Sequence, residues 1–361
     1  MPPEAGTPFA ELADLTRRLE ATTKRLEKRR LIAEFLRRIP RDEVAPAVLI
    51  AIGRIFPEAD QKALNVGWAT LEKALGPTRQ ARLDARPLTI LDVQRAFEGV
   101  AAASGSESVR ARLRLLQSLL GQASREEKEV LLKSIFGEMR IGVNEGVMLE
   151  AIADAAGVSP EAVRTAHMFL GDLGRVAEVA LSDGAAGLAA QSLRLLSPVK
   201  PMMAELGDDL DEVLKEHGGT TALEFKFDGA RIQIHRRGDE VRVFSRRLTD
   251  VTESVPEVVE FARTVPAESF LLEGEVVAVD GLGRPRPFQE LMRRFRRVHE
   301  IEALRREIPL KLYLFDLLYL EGRSLMSAPY RERWAALERL VPREVLAKRL
   351  VTSSRERSRR S

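Results

Sequence analysis

The reading of this chain turns on Glu224-Phe225-Lys226-Phe227-Asp228-Gly229-Ala230-Arg231. From Leu223 to Lys226 the residues alternate with the period of a strand, which places Glu224 and Lys226 on one face and packs Leu223 and Phe225 on the other. Asp228-Gly229 then turns the chain, a role that glycine's permissive backbone suits, and Arg231 re-enters a strand. A lysine flanked by two phenylalanines is expected in a poorly hydrated pocket, where the neutral amine is favoured and can act as a nucleophile. Arg231 follows the turn, and Arg246 closes the next hairpin strand. Guanidinium forks suit phosphate oxygens and ribose hydroxyls, so the expected electrophile is a phosphorus atom. The bland alternative is a half-exposed strand lysine paired with Glu224 or Asp228.

Around this segment the pattern is strand-rich. Arg231–His235 and Val241–Arg246 alternate with period two, and Gly238-Asp239 between them reads as a hairpin turn. Phe270–Val279 and Leu310–Leu320 are further strands, with helices at Val255–Arg263 and Phe288–Arg306. Upstream of Pro198 and Pro201 the period changes to that of helices. Phe9, Leu12, Leu15 and Leu19 mark one apolar helix face, and Leu31, Ile32 and Phe35 continue the theme. Leu113, Leu116, Leu119 and Leu120 repeat it. Ser124 with Glu127 forms a capping-box signature, and Ser159-Pro160-Glu161 orders a cap, a first-turn proline and a carboxylate. The expectation is a multidomain chain: an all-α domain over 1–195, then an α+β domain over 196–350, with 351–361 as a disordered basic tail.

Composition bounds the possibilities. At 361 residues, two or three domains are expected. Lys+Arg 57 against Asp+Glu 54 leaves +3, so any nucleic-acid surface must come from local clusters. Two stand out: Arg293, Arg294, Arg296 and Arg297, and the tail from Arg343 to Arg360; solvated surface explains either equally well. The absence of cysteine excludes disulfides and cysteine-ligated zinc or iron–sulfur sites, and fits a reducing cytoplasm. His167, His217, His235 and His299 lack metal-ligand spacing. No apolar run approaches the roughly 20 residues of a membrane span, and the N-terminus has no signal-peptide pattern. A cytoplasmic protein with no membrane partner is expected.

The lysine segment resembles the nucleotidyl-lysine motif of the covalent nucleotidyltransferases: ATP-dependent DNA ligases, RNA ligases and mRNA capping enzymes. Val243-Phe244-Ser245-Arg246, Leu272-Glu273-Gly274-Glu275 and Leu312-Tyr313-Leu314-Phe315-Asp316 resemble the motifs that follow it, in order. The helical first half points to ATP-dependent DNA ligases of the archaeal and eukaryotic type. Ile135-Phe136-Gly137-Glu138-Met139-Arg140-Ile141-Gly142-Val143 resembles the turn of their helical DNA-binding domain, and Pro198-Val199-Lys200-Pro201-Met202 the entry to their adenylation domain. The resemblance implies Lys226 as the nucleophile toward ATP and Glu224 on the adenine edge. It implies Arg231 and Arg246 on the sugar and phosphates, Glu275 on the ribose or a magnesium ion, and Phe315 stacked on adenine. It further implies a monomer acting on nicked double-stranded DNA.

The family pattern has further parts that this sequence does not match: a glutamate-glycine metal motif, a Lys-x-Lys motif and a β-barrel domain. After Arg349-Leu350-Val351-Thr352-Ser353 comes Ser354-Arg355-Glu356-Arg357-Ser358-Arg359-Arg360-Ser361, read here as a truncation or frameshift scar rather than a DNA-holding arm. A C-terminally truncated adenylation domain is therefore expected, with self-adenylation weak or absent because the cradle for the departing pyrophosphate loses a wall. An inactive DNA-binding remnant, and an RNA ligase or capping-type enzyme, are the alternatives.

Overall fold

The computed structural model describes residues 6–60, 62–76, 86–105, 107–139, 141–202, 204–295 and 301–353. The chain divides into two compact units, Met1–Ser192 and Leu193–Ser361. The first is helical and the second is α+β, the architecture that the two periodicities dictate.

In the first unit, helix Phe9–Glu20 buries Phe9, Leu12, Leu15 and Leu19, and helix Arg25–Arg38 buries Leu31, Ile32, Phe35 and Leu36. The second helix is fixed to helix Glu145–Ala156 by charge as well as packing: Arg25 reaches Glu150 at 2.7 Å and Arg29 holds Asp154. Helix Arg125–Phe136 opens with the reciprocal cap that its sequence promises. The Ser124 N–H donates to Glu127 at 2.7 Å, and the Glu127 N–H donates to the Ser124 hydroxyl at 3.2 Å. It ends at Gly137, whose φ of +67° is the left-handed stop that any residue with a Cβ resists. The turn Ile135–Val143 then leads to Asn144, which caps helix Glu145–Ala156 by accepting from Val147 at 2.9 Å. Arg140 of that turn lies outside the described residues.

In the second unit the strands are β1 (Thr221–Glu224), β2 (Ala230–Arg237), β3 (Glu240–Ser245), β4 (Ser269–Ala278), β5 (Leu310–Leu320), β6 (Arg323–Ser324) and β7 (Arg349–Thr352). An antiparallel sheet runs in the order β3-β2-β4-β5-β6, and β1 pairs separately with β7. Arg237 opposite Glu240 leaves Gly238 and Asp239 as the expected two-residue turn. Ile232, Ile234, Val243, Leu272 and Val276 form a core with Val258 and Ala262 of helix Pro256–Thr264 and with Trp334 and Leu337 of helix Tyr330–Leu340.

Three expectations are corrected. The single helix over Phe288–Arg306 is two, Phe288–Phe295 and Ile301–Glu307, with 296–300 outside the described residues. Arg294 belongs to no solvent-facing basic patch: it is 0% exposed, and its two terminal nitrogens are bonded from within. Its Nη1 donates to Glu257 at 2.5 Å and to the Ile308 carbonyl at 3.0 Å; its Nη2 donates to Glu257 at 2.8 Å and to the Ser254 carbonyl at 3.0 Å. Arg293 pairs with Glu307 at 2.9 Å, while Arg296, Arg297 and His299 lie outside the described residues. Finally, β7 carries order through Thr352, past the expected boundary at 350, because pairing with β1 satisfies its backbone; residues 354–361 are outside the described residues.

No described helix is long and apolar enough to cross a membrane. Among the described residues no group of three or more His, Asp or Glu side chains could hold a metal ion by itself.

Candidate active site

The lysine sits on a loop. β1 ends at Glu224, β2 begins at Ala230, and Lys226 lies exposed between them. This revises the expected strand over Leu223–Lys226: Phe225 is 61% exposed and packs no second face, so the two phenylalanines do not enclose the amine. Phe227 alone turns inward, stacking on Tyr313 of β5 at 4.0 Å and 12°. Glycine at 229 is required for a reason other than the expected one. Its φ is not left-handed, but a Cβ there would collide with the Val276 carbonyl oxygen and crowd Glu275. The loop therefore lies directly against β4.

That close approach has a chemical result. The Gly229 backbone faces the half-buried Glu275, whose Cγ lies 2.9 Å from where a Gly229 Cβ would sit, so the loop beside Lys226 is set against that acid. Burial raises the pKa of Glu275, while the nearby Gly229 backbone and the charges of Arg231 and Arg246 pull it down and Asp228 pushes it up. Arg246 is exposed on the turn after β3, within electrostatic reach of Glu275. Arg231 lies opposite Glu275 in the β2–β4 register, but its Nη2 donates to Glu273. Its guanidinium also lies 5.4 Å from the centre of the half-buried Phe315 ring.

Sequence reasoning passed over Glu273, yet this is the deeply buried acid. Burial raises its pKa, and Arg231 opposes that shift. Gln233 donates to it at 3.0 Å, and the Gln233 side-chain oxygen accepts from the Val199 N–H at 2.9 Å. The Pro198–Met202 segment is thus fastened to the strand behind Arg231. His235, next on that face of β2, accepts from the Leu196 N–H at 3.1 Å; burial pulls its pKa down to about 3, so the ring is neutral. Asp316, beside Phe315, is held by Arg333 at 2.8 and 2.9 Å. Tyr330 donates to Glu224, with its hydroxyl 3.0 Å from the Phe315 carbonyl oxygen. The only sequence signal for Glu273 was its place two residues before Glu275. Tyr330 and Arg333 lie on a downstream helix whose spacing reads as ordinary amphipathicity.

The structure therefore brings Arg231, Arg246 and Glu275 into one electrostatic field beside the Lys226 loop, and links Glu224 to Phe315 through Tyr330. As oxygen donors, Glu275 and Asp228, close enough to raise each other's cost of ionising, would suit a hard divalent cation.

Comparison with known proteins gives this geometry a family. Residues 201–359 match the model described as ATP dependent DNA ligase domain, and residues 8–80 and 77–153 match that described as DNA ligase N terminus. The chain is 45% identical over 354 residues to a probable DNA ligase of Anaeromyxobacter sp. (strain K), covering 97% of this chain and 67% of that one. It is 38% identical over 381 residues to a DNA ligase of Thermococcus onnurineus, covering 96% and 68%. The chain thus spans about two thirds of the length of these relatives. A solved structure described as Pmar-Lig_Pre. shares the fold at a TM-score of 0.51 and 16% identity, covering 97% of this chain and 69% of that one. With both halves matched in order, this chain belongs to the ATP-dependent DNA ligase family.

Proposed function

We propose that the chain performs the lysine-based nucleotidyl transfer of its family on ATP, and that the domains at 1–195 and 196–350 grip duplex DNA and carry the chemistry, respectively. The Lys226 amine attacks the α-phosphorus of ATP. A P–N bond forms, the bond to pyrophosphate breaks and the amine proton leaves to water, giving lysyl-AMP. AMP then passes to the 5′-phosphate at a nick in double-stranded DNA, and the neighbouring 3′-hydroxyl displaces it to seal the strand. Arg231 and Arg246 meet the sugar and phosphates, Glu224 reads the adenine edge and Phe315 stacks on the ring. Glu275 takes the ribose or, with Asp228, a magnesium ion, which when bound supplies positive charge against the departing pyrophosphate. An exposed Lys226 is consistent with this sequence, since the bound nucleotide itself would then cover the amine.

The observation that carries the reading is the close approach of Gly229 to Glu275, which sets the lysine loop against a carboxylate that lies in the field of both Arg231 and Arg246. Monomeric action in the cytoplasm is part of the proposal, and the cysteine-free composition suits that compartment. The test is incubation with α-labelled ATP and magnesium, followed by denaturing electrophoresis and peptide mapping. The expected adduct is acid-labile, low in yield, maps to Lys226 and is absent from Lys226→Arg. An adduct on another residue, or one that persists in that variant, overturns the proposal.

A further inference from the structure

Glu224 ends a strand of four residues and is exposed, so nothing in β1 itself holds its carboxylate in one direction. The restraint comes from helix Tyr330–Leu340. The Tyr330 hydroxyl donates to Glu224 Oε1. The Tyr330 ring is in turn held by two cations, Arg333 and Arg349, each with its guanidinium 5.4 Å from the ring centre. Arg349 lies opposite Glu224 in the β1–β7 register and packs 4.2 Å from the centre of Trp334, one turn along the same helix and buried in the core. Arg333 is anchored by two bonds to Asp316. Every support of the phenol is thus fastened to the body of the domain.

A phenol has one proton to give, and a carboxylate oxygen that receives it is fixed in direction. Fixing Oε1 orients Oε2, and an oxygen so oriented discriminates between purines. It accepts from an exocyclic amino group and is repelled by an exocyclic carbonyl at the same place. Resting on the assignment of Glu224 to the base edge, we propose that Tyr330 is a positioning residue for base selection: it aims the Glu224 carboxylate so that the site takes an amino-bearing purine, adenine, over a carbonyl-bearing one, guanine. Burial and the neighbouring Glu224 both raise the pKa of Tyr330, which keeps the hydroxyl a donor through the physiological range. The nearby Phe315 carbonyl, 3.0 Å from the same hydroxyl, is the weaker competitor, because a carboxylate is the better acceptor.

The test is calorimetric titration of the chain with the α,β-methylene analogues of ATP and GTP, whose α–β bridge cannot break, each with magnesium, at a temperature where circular dichroism shows every variant folded. Wild type, Tyr330→Phe, Glu224→Gln and the double variant are compared. Phenylalanine keeps the ring between the two arginines and removes only the hydroxyl. Losing a hydrogen bond to a charged group predicts that Tyr330→Phe lowers the preference for the ATP analogue over the GTP analogue about tenfold. In the Glu224→Gln background the same change should lower it no further, since Tyr330 acts only through Glu224. A wild-type preference in Tyr330→Phe, or an added loss in the double variant, overturns the proposal while leaving the nucleotide reading intact. A wild-type chain that binds the two analogues equally overturns the base-edge role of Glu224, and this proposal with it.

Discussion

Two arginines in the α+β unit show how the same side chain serves opposite ends. Arg294 is 0% exposed and uses both terminal nitrogens on Glu257 and on the carbonyls of Ser254 and Ile308. Arg231 is 31% exposed and commits one terminal nitrogen to Glu273, while its planar face rests near Phe315. In both, the Nε has no partner among the described residues, so the difference lies in the terminal nitrogens and in solvent access. A guanidinium with both terminal nitrogens committed and no solvent access has no capacity for a ligand. One tied on a single side and open on the other is held in place while remaining able to bind an anion. Both belong to stretches rich in arginine or flanked by motif residues, and only the surrounding strands distinguish them.

That contrast can be broken by substitution. Replacing Arg294 by alanine strands Glu257 and two carbonyls, and should cost about 3 kcal/mol in a urea titration, at the lower end for a broken buried pair because Glu257 keeps some solvent access. ATP affinity, measured on the folded fraction, should be unchanged. The next effect concerns the neutral scaffold behind Arg231. With His235 held near a pKa of about 3 by burial, the unfolded chain takes up a proton below about pH 6.5 that the folded chain refuses. Stability should therefore fall as the pH drops from about 6.5 toward 3, by about 2 kcal/mol at pH 5. His235→Gln should flatten that slope, and equal slopes would remove His235 as the cause. The smallest effect on stability is expected for Arg231→Met, about 1 kcal/mol, because Glu273, its pKa already raised by burial, can take a proton once its partner is gone. ATP binding should nonetheless weaken about tenfold. If Arg231→Met destabilises as much as Arg294→Ala, the two arginines are the same kind of residue and the contrast fails.

What could be read in the sequence was whatever short-range chemistry decides. Ser124 and Glu127 cap a helix through contacts three residues apart, and Gly238-Asp239 closes a hairpin whose register its neighbours fix. The strand order that brings Arg231 opposite Glu275 could be anticipated from motif order, while the roles of Glu275, Arg246 and Phe315 stay part of the proposal. What escaped was set by long-range packing. Phe225 reads as a core residue by alternation, but the strand stops one residue earlier, where β1 loses its partner β7. Arg294 reads as surface because its acid, Glu257, comes from another helix. Tyr330 reaches Glu224 across 106 positions, a distance over which no local pattern carries information.

The strand that launches the lysine loop has an order of assembly built into it. β1 takes its ladder from β7, so Thr221 meets Thr352 and Glu224 meets Arg349, while the neighbouring five strands close among themselves. During synthesis the helices and the larger sheet can collapse as their residues emerge, but the last turn before Lys226 waits for a partner made far later. A nascent chain would thus close its larger sheet before the Lys226 loop is aimed.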